Sequence, residues 1–176
     1  MEEKSIVLSE AEIHQKIDRI AFQIYENTFE QSILYVGGIS GNGFLLAEQL
    51  IACLNKISDQ SIRLFELSIH KDEPLHHDIN LSIADEDLSK ATVILVDDVI
   101  NSGRTMSYAV RKILENEVNV LKIATLVNRT HRRFPVHADF VGLDIASTLQ
   151  DHIRVDLEEK PVAFLEWLFR PRKSFL

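Results

Sequence analysis

Residues 93–105 read VILVDDVINSGRT: an apolar run, two adjacent aspartates, then a loop of small polar residues. Asp97 and Asp98 repel one another, so a partner rich in hydroxyls or carrying a cation must meet them. Asn101, Ser102, Gly103, Arg104 and Thr105 offer the opposite chemistry. A turn from strand into helix presents unpaired backbone N–H groups, and the helix dipole favours a phosphate there. Ser102 and Thr105 add hydroxyl donors, and Gly103 admits close approach of a ligand. The two carboxylates suit sugar hydroxyls or the waters of a magnesium ion. A phosphorylated ribose satisfies both halves at once.

Other readings of these residues stay open. An acidic pair can cap a strand-to-helix turn with no ligand. The second nucleotide motif of P-loop ATPases also ends an apolar strand in acids, but it needs a G-x-x-x-x-G-K-[ST] loop, which this sequence lacks. Phosphoacceptor receivers place their aspartates early in the chain. GGISGNG, residues 37–43, is a second glycine-rich turn whose spacing departs from G-x-G-x-x-G. It reads either as a tight turn or as another anion loop facing the first. His76 and His77, with Asp78, are solvated loop residues or metal ligands. NRTHRRFP, residues 128–135, gathers three arginines and a histidine, as a solvated surface or as an anion or RNA contact.

The elements that must position these residues alternate. Ser9 and Glu12 form a capping box, with Leu8 and Ile13 as its hydrophobic staple. Ile13, Ile17, Ile20, Ala21 and Ile24 then share one helical face. SILYVGG reads as a buried strand, and Phe44, Ala47, Leu50, Ile51 and Leu54 stripe a second helix. IRLFELSI is a third element with strand character. TVILV is the continuous apolar run of a central parallel strand covered on both faces. Met106, Ala109, Val110, Ile113 and Leu114 mark the next helix, and VLKIATLV the strand after it. ADFVGLDI and HIRVDL read as shorter strands. VAFLEWLF reads as a final helix, with Trp167 in the core. Residues 70–90, polar and poor in pattern, read as a flexible lid. The whole predicts a single-domain α/β fold with a mainly parallel sheet, whose ligands bind beyond the carboxyl ends of the strands.

Composition sets the outer bounds. With 176 residues, 45% apolar and 26% charged, the chain can bury a full core as one globular domain. A net charge of −8 gives no general reason to expect nucleic-acid or membrane binding. Cys53 is the sole cysteine, which excludes a disulfide framework and a cysteine-based zinc site. The acidic start, MEEKSIVLSE, lacks an apolar signal core, and no apolar run reaches the roughly 18 residues of a membrane helix. A cytoplasmic protein is expected.

VILVDDVINSGRT resembles the phosphoribosyl-pyrophosphate signature of type I phosphoribosyltransferases. IVLSEAEIHQKIDRIAFQIYE, YVGGISGNGFLLAEQL and ATLVNRTHRRFPVHADFVGLDIAST extend the likeness over most of residues 6–157. They resemble the branch of bifunctional pyrimidine operon attenuators/uracil phosphoribosyltransferases. The resemblance implies a Rossmann-like fold: a five-stranded parallel sheet with a small hood, here the N-terminal segment and about residues 135–157. It implies a homodimer, and Mg²⁺ as cofactor, held by Asp97 and Asp98 through water. By motif, Asp97 and Asp98 would be catalytic and hold the ribose hydroxyls, and residues 101–105 would cradle the 5′-phosphate. Ser40, Gly41 and Asn42 would line the pyrophosphate loop, and His137, Phe140 and Val141 would help form the base pocket.

The sequence also departs from that branch. Ser40 and Asn42 stand where its pyrophosphate loop carries a lysine and an arginine. His137 replaces a basic residue that reads a base carbonyl, and Leu143 replaces a further lysine. On the first helix Arg19 is kept, but Asp18 and Phe22 occupy positions where the branch has RNA-contacting polar residues, so RNA attenuation is not expected. Two functions therefore stand. One is transfer of the 5-phosphoribosyl group from phosphoribosyl pyrophosphate to a pyrimidine base, most simply uracil. The other is a catalytically weak regulatory protein that binds phosphoribosyl pyrophosphate or a nucleotide.

Overall fold

The computed structural model describes residues 4–71, 73–130, 132–146, 151–158 and 161–167. After a short strand β1 (Lys4–Leu8), the capping sequence starts helix α1 (Glu10–Thr28). The Glu12 carboxylate accepts hydrogen bonds from the Ser9 amide at 2.9 Å and the Ser9 hydroxyl at 2.6 Å. Ile13, Ile17, Ile20, Ala21 and Ile24 are all buried, as their spacing predicts. The chain continues through β2 (Ile33–Ile39), α2 (Asn42–Ile57), β3 (Ser61–Ser68) and β4 (Asn80–Leu81). Then come a 3-10 turn at Asp85–Leu88, β5 (Thr92–Ile100), α3 (Arg104–Ile113), β6 (Val120–Arg129) and β7 (Phe140–Ile145). The last strands are β8 (Asp151–Asp156) and β9 (Val162–Trp167).

The main sheet runs β4-β3-β2-β5-β6-β7. Its five longer strands are parallel, and only the two-residue β4 pairs antiparallel, against β3. Side chains alternate across β5. Ile94 and Val96 join the core that holds α1 and α2, whereas Val93 and Leu95 join the core under α3. A strand buried on both faces must be apolar throughout, which is why TVILV shows no alternation. From β2 the chain crosses outward to β3, and from β5 it crosses the other way to β6. The sheet order therefore reverses between β2 and β5, and the loops leaving these strands open a crevice there.

Four expectations need correction. VAFLEWLF is not a helix: Val162–Trp167 is the central strand of a small antiparallel sheet, β1-β9-β8. A central strand can be apolar on both faces, and a run that short does not distinguish strand from helix. The side chain of Trp167 lies outside the described residues. Residues 140–145 belong to the main sheet as edge strand β7, so the hood-like sheet takes its strands from residues 4–8, 151–156 and 162–167. Leu114 ends α3 as its C-cap and is 57% exposed, because the helix stops before its stripe is complete. Residues 70–90 are not uniformly irregular either: β4 and the 3-10 turn lie within them, and Leu88 is buried. No helix among the described residues is long and apolar enough to cross a membrane.

Candidate active site

Asp97 and Asp98 close the apolar part of β5 as neighbours on the strand, with their carboxyl groups close enough to interact. Asp97 is buried and lines a cavity of about 90 Å³ with Lys71, Asn101, Ser102, Gly103, Arg104 and Thr105. Asp98 is half-buried, and its Oδ2 lies 3.4 Å from the Asn42 side-chain nitrogen. That same nitrogen donates to the Val155 carbonyl of β8 at 2.7 Å. The small antiparallel sheet is thereby tied to the mouth of the crevice.

Burial pushes the Asp97 carboxyl well above the usual aspartate range, and the neighbouring Asp98 charge pushes it further; the Lys71 ammonium works against both. A buried carboxylate beside a second one is short of positive charge. The donors are all hard oxygens, which fits a hydrated magnesium ion or the hydroxyls of a sugar. Gly43, in the first turn of α2, makes room for this arrangement. A Cβ there would lie 3.0 Å from Asp97 Oδ1.

The loop after β5 is shaped for an anion. Gly103 is the N-cap of α3 with φ of 82° and has no side chain of its own to cap the amides behind it, although the Arg104 amide lies 3.4 Å from Ser102 Oγ. Amides at a helix start, beside the Ser102 and Thr105 hydroxyls, are donors of the kind that suit a phosphate. The segment after β6 braces the loop. Arg133 and Phe134 donate their amides to the Ser102 carbonyl at 3.1 and 3.0 Å, and Arg129 donates to Asn101 Oδ1 at 3.1 Å. The arginine-rich stretch thus contributes one guanidinium directly to the loop.

The second glycine turn leaves the same edge of the sheet, since Gly38 of β2 pairs with Val96 of β5. Ser40 is fastened to β3: its amide donates to the Leu67 carbonyl at 3.0 Å, and its hydroxyl lies 3.1 Å from that of Ser68. Gly41 takes φ of 89° to start α2.

The residues expected around the base are not brought into this cluster. Phe140 is buried in the core, with the Lys122 ammonium 5.7 Å from its ring centre, because its position on β7 turns it inward. His137 and Val141 line a separate hollow against α1, where Arg19 donates to the Val141 and Gly142 carbonyls at 2.7 Å each. Lys71 and Val155, by contrast, stand at the site although no local pattern marks them. Lys71 lies in a polar stretch and Val155 in an ordinary strand. Cys53 is no nucleophile here: burial, then the bond to Asp18, pushes its thiol up to about 11.

Residues 5–160 match the family described as phosphoribosyl transferase domain. The chain belongs to that family. The bifunctional protein PyrR of Bacillus cereus (strain AH820) is 32% identical over 171 residues, covering 90% of this chain and 93% of that one. The bifunctional protein PyrR of Bacillus mycoides (strain KBAB4) is 31% identical over 172 residues, with the same coverage. Among solved structures, the hypoxanthine phosphoribosyltransferase of Trypanosoma cruzi superposes with a TM-score of 0.74 at 18% identity, covering 90% of this chain and 95% of that one. A hypoxanthine-guanine phosphoribosyltransferase from Bacillus anthracis gives 0.68 at 24% identity, covering 83% and 85%. The structural likenesses establish the type I phosphoribosyltransferase fold, and the sequence likeness places the chain nearer to PyrR proteins than to either purine enzyme.

Proposed function

We propose that this phosphoribosyltransferase moves the 5-phosphoribosyl group from phosphoribosyl pyrophosphate to a pyrimidine base, most simply uracil. The observation that carries the reading is the junction of β5 and α3. There the buried Asp97, with the half-buried Asp98 beside it, adjoins a helix start lined by Ser102 and Thr105. The 5′-phosphate sits on residues 101–105, and the ribose hydroxyls meet Asp97 and Asp98. The ring nitrogen of the base bonds to the anomeric carbon as the bond from that carbon to the pyrophosphate oxygen breaks. The electron pair leaves with pyrophosphate, and the base gives up its ring proton. Positive charge develops on the sugar in between, and the Asp97–Asp98 pair stabilises it. Asp97 and Asp98 would hold a magnesium ion through water, and that ion would offset charge on the leaving group. The PyrR relatives support the choice of pyrimidine.

A second reading, a sensor of phosphoribosyl pyrophosphate with little turnover, is favoured by one observation. Ser40 and Asn42 spend their polar groups on Leu67, Ser68 and Val155 and bring no cation to the glycine turn. RNA attenuation is not part of either reading, because Asp18 and the half-exposed Phe22 offer an RNA backbone no cation. Pyrophosphate release measured with uracil, hypoxanthine and guanine, beside calorimetry with phosphoribosyl pyrophosphate, separates the two. Release with uracil supports transfer, and magnesium-dependent binding without release supports the sensor. Absence of binding would overturn both. A tight, salt-sensitive gel shift with a pyrimidine-operon leader hairpin would restore the RNA function.

A further inference from the structure

His70, Glu73 and His77 stand together on the segment that follows β3. Each offers one ligand atom, and these atoms all lie within 4.8 Å of one another. The imidazole rings stack with centroids 4.2 Å apart and an interplanar angle of 25°, and His77 Nε2 is 3.5 Å from Glu73 Oε2. Nδ1 of His70 accepts a hydrogen bond from the Glu73 amide at 3.0 Å, so that lone pair is directed into the turn. All three residues are exposed, and none lines the phosphate cavity.

We propose that His70, Glu73 and His77 form a binding site for a zinc-class divalent ion. Zinc accepts imidazole nitrogen and carboxylate oxygen at roughly 2.0–2.2 Å, which in a tetrahedron separates the donors by about 3.3 Å. Small rotations of surface side chains close the present spacing to that value. Two nitrogens and one oxygen suit zinc better than magnesium or calcium, which prefer oxygen throughout. The ion takes over the His70 lone pair from the Glu73 amide and joins both ends of the turn. Three protein ligands leave a coordination position open. His70 and His77 also border a hollow of about 300 Å³ with Ser40, Ser68 and Asp78, so the open position adjoins the second glycine turn. The assignment is independent of the transferase reading.

The test uses the full chain, treated with chelator and titrated with zinc chloride by calorimetry, with cobalt(II) absorption as a second measure. One equivalent of zinc should bind, and cobalt should show the visible bands of a four-coordinate site. His70→Ala and His77→Ala should each weaken zinc binding by more than the roughly 10- to 100-fold that loss of an outer-sphere partner costs. Far-UV circular dichroism should not change, since these side chains are exposed. Cys53→Ser and His76→Ala should bind zinc as the unmodified chain does. The assignment is overturned if zinc does not bind with one-to-one stoichiometry. It is equally overturned if binding survives both histidine substitutions, or is lost in His76→Ala instead.

Discussion

The Asn42 side chain donates to the Val155 carbonyl across 2.7 Å while lying 3.4 Å from Asp98 Oδ2. One amide therefore holds the antiparallel sheet against α2 and also faces the acidic pair. Asn42→Ala should lose about 1 kcal/mol of stability, since the carbonyl is left without this partner. For a chain of this size that lowers the melting temperature by roughly 2–4 °C. Thermal unfolding of the two proteins checks this, and equal midpoints would show that the tether adds nothing.

Supplying a cation to the glycine turn should raise transfer, and position decides where to put it. Asn42→Arg breaks the tether, whereas Ser40→Lys gives up only long, weak hydroxyl bonds to Leu67 and Ser68. A charge-assisted contact to the leaving pyrophosphate contributes on the order of 2–4 kcal/mol, or roughly 30- to 1,000-fold in rate. Ser40→Lys should therefore increase kcat for uracil, with less effect on the affinity of the ribose end. Steady-state kinetics decides it: a gain confined to KM would mean the lysine binds ground state and transition state alike.

Asp97 couples the site to pH. Its folded carboxyl titrates above the ordinary range because of burial first and the Asp98 charge second, with Lys71 opposing. The folded state then holds a proton that the unfolded state has already lost. Its contribution is fully present below the unfolded value, about 4, and is lost as pH rises through the raised folded value. Asp97→Asn should stabilise the ligand-free protein at neutral pH, with the advantage shrinking as pH falls toward 4. Magnesium-dependent binding of phosphoribosyl pyrophosphate should weaken in the same variant. Denaturant titrations from pH 4 to 8 would refute this if the two curves stay parallel.

Gly103→Ala tests the phosphate cradle. The backbone there has φ of 82°, and a Cβ would lie 3.3 Å from the Phe134 carbonyl oxygen. The left-handed conformation costs an ordinary residue about 1–2 kcal/mol. Stability should fall by at least that amount, and affinity for a nucleoside 5′-monophosphate should fall with it. Calorimetry showing unchanged affinity would move the phosphate away from this loop.

The sequence by itself determined what depends on near neighbours. Helix α1 follows from the spacing of its isoleucines and the Ser9–Glu12 pair, and β5 from a short, valine- and isoleucine-rich apolar run that ends at a glycine turn. The grouping of residues 97–105 was equally legible, because a strand end, a glycine and a helix start lie within nine positions and form one local unit. Tertiary structure alone decided the rest. Residues 162–167 become a strand because β1 and β8 flank them, and those partners come from opposite ends of the chain. Phe140 was read as a base contact from its motif, but the packing of α1 against the sheet buries it. Lys71 beside Asp97 and Val155 above Asn42 are joined only by the fold. Their roles follow from charge and hydrogen bonding at a distance along the chain, which no local pattern encodes.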